Sequence, residues 1–223
     1  MENKGSKLQI QLLATRYPLL FEVKIGELVR WICPKDRKEF QLNSHEMINE
    51  LGLAKDSFDH FWPSRQPQWD GLAIGFKTGI LYLIETKSHL SEICPGNFPP
   101  KTTNDKKSLN YNMKCNAITY TMNLLKVKVD DKIWLHKYYQ ISNRIVFLRK
   151  MKELCPSSNY SDVNLVFINF INDPYWIQKK MNPTENKWQR KYDKIFAQMG
   201  VTNEMLLNQN IQVICIDSAN MEP

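Results

Sequence analysis

Apolar and polar positions alternate along this chain in short blocks whose period changes from one block to the next. Within 107–125, Leu109, Met113, Ala117, Tyr120 and Leu124 recur at helical spacing, which predicts a helix with one apolar stripe. Over 132–153, Trp134, Tyr138, Ile141, Ile145 and Leu148 give a second helix a buried face of the same kind. The stretches 72–76 and 80–86 are instead continuous, apolar and β-prone. Lys77, Thr78 and Gly79 lie between them as a turn signal, so the pair reads as a β-hairpin. A dense apolar run over 163–171, stopped by Asn172-Asp173-Pro174, suits a buried strand. Further elements are a helix over 7–16 ending before Pro18, a helix over 45–51 between Ser44 and Gly52, a helix over 188–199 and a last strand over 211–216. The aromatic, proline-punctuated stretch 58–69 and the segment 91–105 read as loops, and 22–31 is mixed. Strands interleaved with helices, without a linker or internal repeat, predict one domain over 1–223, an α/β or α+β sandwich.

Composition narrows the class of protein. Of 223 residues, 43% are hydrophobic and 24% charged, as in an ordinary folded domain. The longest apolar runs, such as Leu165-Val166-Phe167-Ile168, are far too short for a membrane span. The five cysteines are widely spaced and form no CxxC, which argues against a disulfide framework or a zinc ribbon. With no secretion signal visible at the N-terminus, a cytoplasmic location is expected. The net charge of +7 favours acidic partners such as nucleic acid.

The candidate chemistry lies in WDGLAIGFKTGILYLIETKSH, residues 69–89. Side chains alternate between the faces of a strand, so Glu85 and Lys87 share one face and Thr86 takes the other. Pairing around the hairpin turn carries Asp70, at the start of the first strand, towards Glu85 and Lys87 at the end of the second. Asp70 and Glu85 are hard oxygen ligands suited to Mg²⁺ or Mn²⁺, with the main-chain carbonyl of Thr86 as a third ligand. A divalent cation there would polarise a phosphodiester and acidify a bound water. Lys87 would position that water or stabilise transition-state charge. The competing reading is a surface ion pair, which contributes little. The apolar run 80–84 leading into Glu85 speaks against it.

His136, Gln140 and Arg144 fall at i, i+4 and i+8 on the second helix, on a face other than its apolar stripe, with Tyr139 and Asn143 beside them. They read either as a polar wall of the cleft, in which Gln140, Arg144 and Tyr139 bind substrate and Arg144 meets a phosphate, or as a solvated helix surface. His89 reads as a strand-end cap rather than a substrate contact. Lys101, Lys106 and Lys107 read as a solvated cluster rather than a phosphate track. Packing is the expected role of Phe61, Trp62, Trp69, Trp176 and Trp188, with base stacking as the alternative.

Trp69-Asp70-Gly71 followed by Glu85-Thr86-Lys87 resembles the PD-(D/E)XK nuclease superfamily over about residues 60–172, with Trp69 standing where its usual proline would be. FWPSRQPQWDGLA, IETKSHLSEICPG, YYQISNRIVFL and NLVFINFINDP also resemble a group of bacterial proteins of that type. The resemblance implies an α/β fold with a restriction-endonuclease-like core, a central mixed β-sheet flanked by helices, with residues 1–57 as an N-terminal extension of it. It also implies metal-dependent hydrolysis of DNA, less readily RNA, by Asp70, Glu85 and Lys87. Many such sites add an acid from an N-terminal helix, and Glu22, Glu27, Glu39, Glu46 and Glu50 are all available. The alternative function is a non-catalytic nucleic-acid- or protein-binding module on the same fold. Alanine at any of the three motif positions is expected to abolish hydrolysis while leaving the fold largely intact.

Overall fold

The structure, a computed structural model, describes residues 4–34, 40–93, 109–219 and 221–222. Most of the expected 91–105 loop, along with Glu39, Lys101, Lys106 and Lys107, lies outside these residues. In chain order the elements are α1 (Ser6–Thr15), α2 (Leu19–Ile25), β1 (Val29–Cys33), α3 (His45–Leu51), β2 (Gly71–Gly75), β3 (Leu81–Lys87), α4 (Leu109–Leu124), a π-helical turn (Ile133–Lys137), α5 (Tyr139–Leu154), β4 (Val163–Ile171), α6 (Pro174–Gln178), α7 (Glu185–Met199), α8 (Asn203–Asn208) and β5 (Ile211–Asp217).

The five strands form one mixed sheet in the order β1-β2-β3-β4-β5. β1, β2 and β3 pair antiparallel, whereas β3, β4 and β5 pair parallel. The parallel β3–β4 pair requires a long crossover, and α4 and α5 supply it. β3 has neighbours on both sides and cover on both faces, so all seven of its residues are buried, which is why it reads as a continuous apolar run. Leu81 and Leu83 face the larger core with α3, α5 and α7. Tyr82 and Ile84 face the smaller core with α1 and α2. By the same alternation, Glu85 and Lys87 point towards α5 and Thr86 towards α1. Gly71 pairs with Ile84, which sets Asp70 beside Glu85 across the antiparallel ladder.

Three expectations are corrected. Residues before 57 supply β1 to the sheet and α1 and α2 to the smaller core, so this stretch is woven into the core rather than appended to it. In α4 the buried residues are Ala117, Ile118, Thr121 and Met122, while Leu109, Tyr120 and Leu124 are exposed. Thr121 lies outside the expected stripe, yet its hydroxyl is satisfied by the Ala117 carbonyl at 2.9 Å and can be buried. The expected helix over 132–153 is interrupted by the π-helical turn, closed by the Tyr138 N–H on the Ile133 carbonyl at 2.9 Å. The extra residue in that turn takes His136 out of line with Gln140 and Arg144; His136 lies within electrostatic reach of Asp130.

The loop over 58–69 is held onto α5 by aromatic packing. The buried ring of Phe147 lies 5.2 Å from Trp62, 5.3 Å from Phe61 and 6.2 Å from Phe58, centroid to centroid. This loop delivers Asp70 to the sheet. Phe147→Ala is therefore expected to cost about 3–5 kcal/mol in urea unfolding; a cost below ~1 kcal/mol would show that the loop is held some other way.

Candidate active site

The chemistry gathers where the sheet changes from antiparallel to parallel pairing, at the C-terminal end of β3. Open α/β sheets generally bind ligands beyond the carboxyl ends of their strands. Glu85 is buried there, and both its oxygens are taken. Oε1 accepts from Lys87 Nζ, and from Gln140 Nε2 at 2.8 Å. Oε2 accepts from Arg144 Nε at 2.7 Å. Gln140 and Arg144 are one helical turn apart on α5, so both reach a single carboxylate. Burial pushes the Glu85 carboxyl up, but the charges of Arg144 and Lys87 outweigh it and hold the group below the ordinary range.

Arg144 extends the network. Its Nη2 donates to the Gln68 carbonyl at 2.7 Å and Nη1 to Asn143 Oδ1 at 3.1 Å. The guanidinium also lies 4.6 Å over the Trp69 ring, a cation–π contact that suits a planar, weakly hydrated cation. The same side chain thus neutralises Glu85 and fixes the two residues before Asp70.

Asp70 is held differently. Oδ2 accepts from the Thr86 N–H at 2.7 Å and the Thr86 hydroxyl at 3.0 Å. Oδ1 takes no hydrogen bond among the described residues. Burial, reinforced by the charge of Glu85, raises the Asp70 carboxyl to about 6; Lys87, the Thr86 N–H and Arg144 pull the other way. Two neighbouring carboxylates are thereby driven apart in basicity, the arrangement through which one site holds two acids in different roles.

The oxygens suit a hard cation. Lys87 Nζ binds Glu85 Oε1 and also the Thr86 carbonyl at 3.0 Å, so an ammonium already bridges two of the three expected metal ligands. The third, Asp70, keeps Oδ1 available. Among the described residues no group of three or more His, Cys, Asp or Glu side chains is assembled to hold a metal; the set here is two carboxylates and a main-chain carbonyl. Among the described residues, no hydrogen bond or ion pair links an N-terminal glutamate to Asp70, Glu85 or Lys87. Glu22 accepts from the Val29 N–H at 3.0 Å. Glu27 binds Thr78 and Tyr82 at the turn end of the hairpin. Glu46 lies in the first turn of α3, and Glu50 pairs with Arg30 at 2.6 Å.

The remaining expected residues divide. Gln140 and Arg144 turn inward and bond the Glu85 carboxylate. Tyr139 lies beside Asn143, and its ring is 5.9 Å from Lys114 Nζ. His89 stacks on Trp176 at 4.6 Å and bonds the Ser91 hydroxyl at 2.7 Å, as a strand-end residue. Trp62, Trp69 and Trp188 are buried packing residues without a face for a base, and Phe61 packs on Phe147.

Two residues went unnoticed in the sequence. Asn169 pairs in register with Lys87 and is fully buried. Tyr192, also buried, lies beside Asn169, and burial followed by the charge of Glu85 pushes its hydroxyl well above the ordinary range. A polar asparagine set deep in an apolar strand run was the available signal for Asn169. Nothing local marks Tyr192, because α7 reaches the site through tertiary packing.

Comparisons with protein-family models, curated proteins and solved structures return no match to this chain.

Two stability predictions follow from the unequal carboxylates. Glu85→Ala strands Lys87 and Arg144 as buried cations, so it is expected to cost about 3–5 kcal/mol. The expectation that alanine leaves the fold largely intact therefore does not extend to this position, and Glu85→Gln is the gentler probe. Asp70 behaves in the opposite sense. Its folded-state pKa lies above that of the unfolded chain, so its favourable contribution is complete below about pH 4 and is lost as pH rises through about 6. Asp70→Asn is expected to raise the melting temperature by about 2–4 °C at neutral pH, with the gain vanishing towards about pH 4. A destabilised Asp70→Asn protein at neutral pH would contradict this electrostatic account.

Proposed function

We propose that this chain is a divalent-metal-dependent nuclease of the PD-(D/E)XK kind, acting on DNA. The observation that carries the reading is the gathering of Asp70, Glu85, Lys87 and the Thr86 carbonyl at one strand end. The element order supports it: a helix, three antiparallel strands, a helical crossover and a parallel strand, as in the restriction-endonuclease-like core. Asp70, Glu85 and the Thr86 carbonyl would hold Mg²⁺ or Mn²⁺. Such an ion supplies a polarised phosphate and an acidified water. The chain's own groups do the rest. Arg144 and Gln140 keep Glu85 ionised and aimed. The Thr86 N–H and hydroxyl fix Asp70 with one oxygen outward. Lys87, at the same strand end, would supply positive charge to the phosphate oxygens as negative charge develops.

Among the described residues no helix is long and apolar enough to cross a membrane, and the net charge of +7 suits a polyanionic partner. A second reading, a non-catalytic binding module, draws on one feature: every donor around Glu85 already satisfies it without metal.

Incubating the purified chain with DNA separates the two. Hydrolysis is expected with Mg²⁺ or Mn²⁺ and is lost on chelation. Asp70→Asn and Lys87→Gln are each expected to lower kcat by ~100-fold or more. DNA binding without cleavage in either metal, or variants that cleave like the wild type, would replace the nuclease reading with the binding module.

A further inference from the structure

Helix α7 divides lengthwise. Trp188, Tyr192, Ile195, Phe196 and Met199 are buried. On one side of that face lie Lys187, Lys191, Lys194 and Gln198, spaced i, i+4, i+7 and i+11, which is one line along a helix of 3.6 residues per turn. On the other side lie Glu185, Gln189 and Asp193, of which Gln189 donates to Asp193 at 2.8 Å. The basic side faces the active centre. Gln198 Oε1 accepts from Lys137 Nζ at 3.0 Å and from the Tyr138 hydroxyl, both at the π-helical turn that leads directly into Gln140. Tyr192, the neighbour of Lys191, reaches Asn169, and its hydroxyl feels the charge of Glu85. Glu85 is thus met from the start of α5 through Gln140 and felt by Tyr192 of α7, and the lysines share the side of α7 whose Gln198 meets the π-helical turn.

These cations are also mutually unfavourable. Lys187 and Lys191, and likewise Arg190 and Lys194, are i, i+4 pairs. Lys187–Arg190 and Lys191–Lys194 are i, i+3 pairs. Like charges at these spacings destabilise a helix. None of the four has an ion-pair partner among the described residues. Lys187, Arg190 and Lys194 are exposed and Lys191 is half-buried. A merely solvated helix surface gains nothing from such segregation, whereas a polyanion lying along it would relieve the repulsion.

We propose that Lys187, Lys191 and Lys194, with Lys137 across from them, form a rail that carries the phosphate backbone of a nucleic-acid strand into the Glu85 cleft. The three α7 lysines span about 10 Å at 1.5 Å per residue, enough to meet consecutive phosphates rather than a single anion. They contact no base, so the rail sets affinity and position without sequence preference. This deepens the nuclease reading and rests on it for the direction of travel, but the rail itself is testable by binding alone.

The test measures binding of a labelled DNA strand of about 20 nucleotides, and of its duplex, from about 50 to 200 mM salt in the presence of a chelator. The wild type is compared with the triple variant Lys187→Gln, Lys191→Gln, Lys194→Gln. A second triple, Lys24→Gln, Lys55→Gln, Lys77→Gln, removes the same charge from other exposed positions. The rail variant is expected to bind with a log–log salt slope shallower by about 2 to 3, since each lost phosphate contact removes roughly 0.7–0.9. The control triple keeps the wild-type slope. Equal slope changes in both triples would reduce the rail to net charge and overturn it, as would a rail variant that binds like the wild type, or a wild type that binds neither DNA. In a parallel assay with bis(p-nitrophenyl) phosphate, the rail variant is expected to match the wild type while its KM for DNA rises. Failure of the wild type to hydrolyse either substrate would sink the nuclease reading and leave the binding comparison to decide the rail.

Discussion

An ionised carboxylate enclosed at the end of an apolar strand is costly unless its charge is met in place, and the architecture around Glu85 answers that constraint. Lys87 meets it from the same strand; Gln140 and Arg144 meet it from α5. Because both α5 residues must reach one carboxylate, the rotation of that helix over the sheet is fixed. Arg144 then holds the Gln68 carbonyl and the Trp69 ring, so the loop that ends in Asp70 is positioned by the same charge. One buried anion thus orders β3, α5 and the approach to β2 together.

The second carboxylate is left under strain of a different kind. Asp70 gains two donors from Thr86, but burial and its neighbour Glu85 leave its charged form poorly compensated. A group that weakens the fold in its charged form is what the proposed chemistry would call for. Lys87 is the counterpart of this deficit: an ammonium resting on Glu85 and the Thr86 carbonyl. The contrast between a fully satisfied Glu85 and a half-satisfied Asp70 gives the pair its capacity for metal-assisted hydrolysis under the proposed reading.

Where the controlling signal was local, the sequence was legible. Ser44 and Gly52 bracket α3 as their capping chemistry predicts. β4 coincides with its apolar run, and the hairpin strands fall within one residue of their expected limits. Strand alternation alone separated Glu85 and Lys87 from Thr86, and the turn at Lys77-Thr78-Gly79 was enough to bring Asp70 alongside. What was hidden depends on tertiary contacts. The mixed 22–31 segment gave no sign that Val29–Cys33 joins the sheet, since β1 is an edge strand carrying an exposed Arg30. The buried face of α4 was misjudged because a threonine that satisfies its own hydroxyl can act as a core residue. The π-helical turn before α5 has no periodic signature, yet it decides that Gln140 and Arg144, and not His136, meet Glu85.

The central claim is that Asp70, Glu85 and the Thr86 carbonyl form a seat for a divalent cation. A crystal soaked in Mn²⁺ and measured at the manganese absorption edge addresses it directly. The account predicts an anomalous peak at coordination distance, about 2.1–2.2 Å, from an oxygen of each carboxylate, with Lys87 displaced from Glu85. Crystals that show no peak between Asp70 and Glu85, with the Lys87 ammonium still seated on the Glu85 carboxylate, would contradict it.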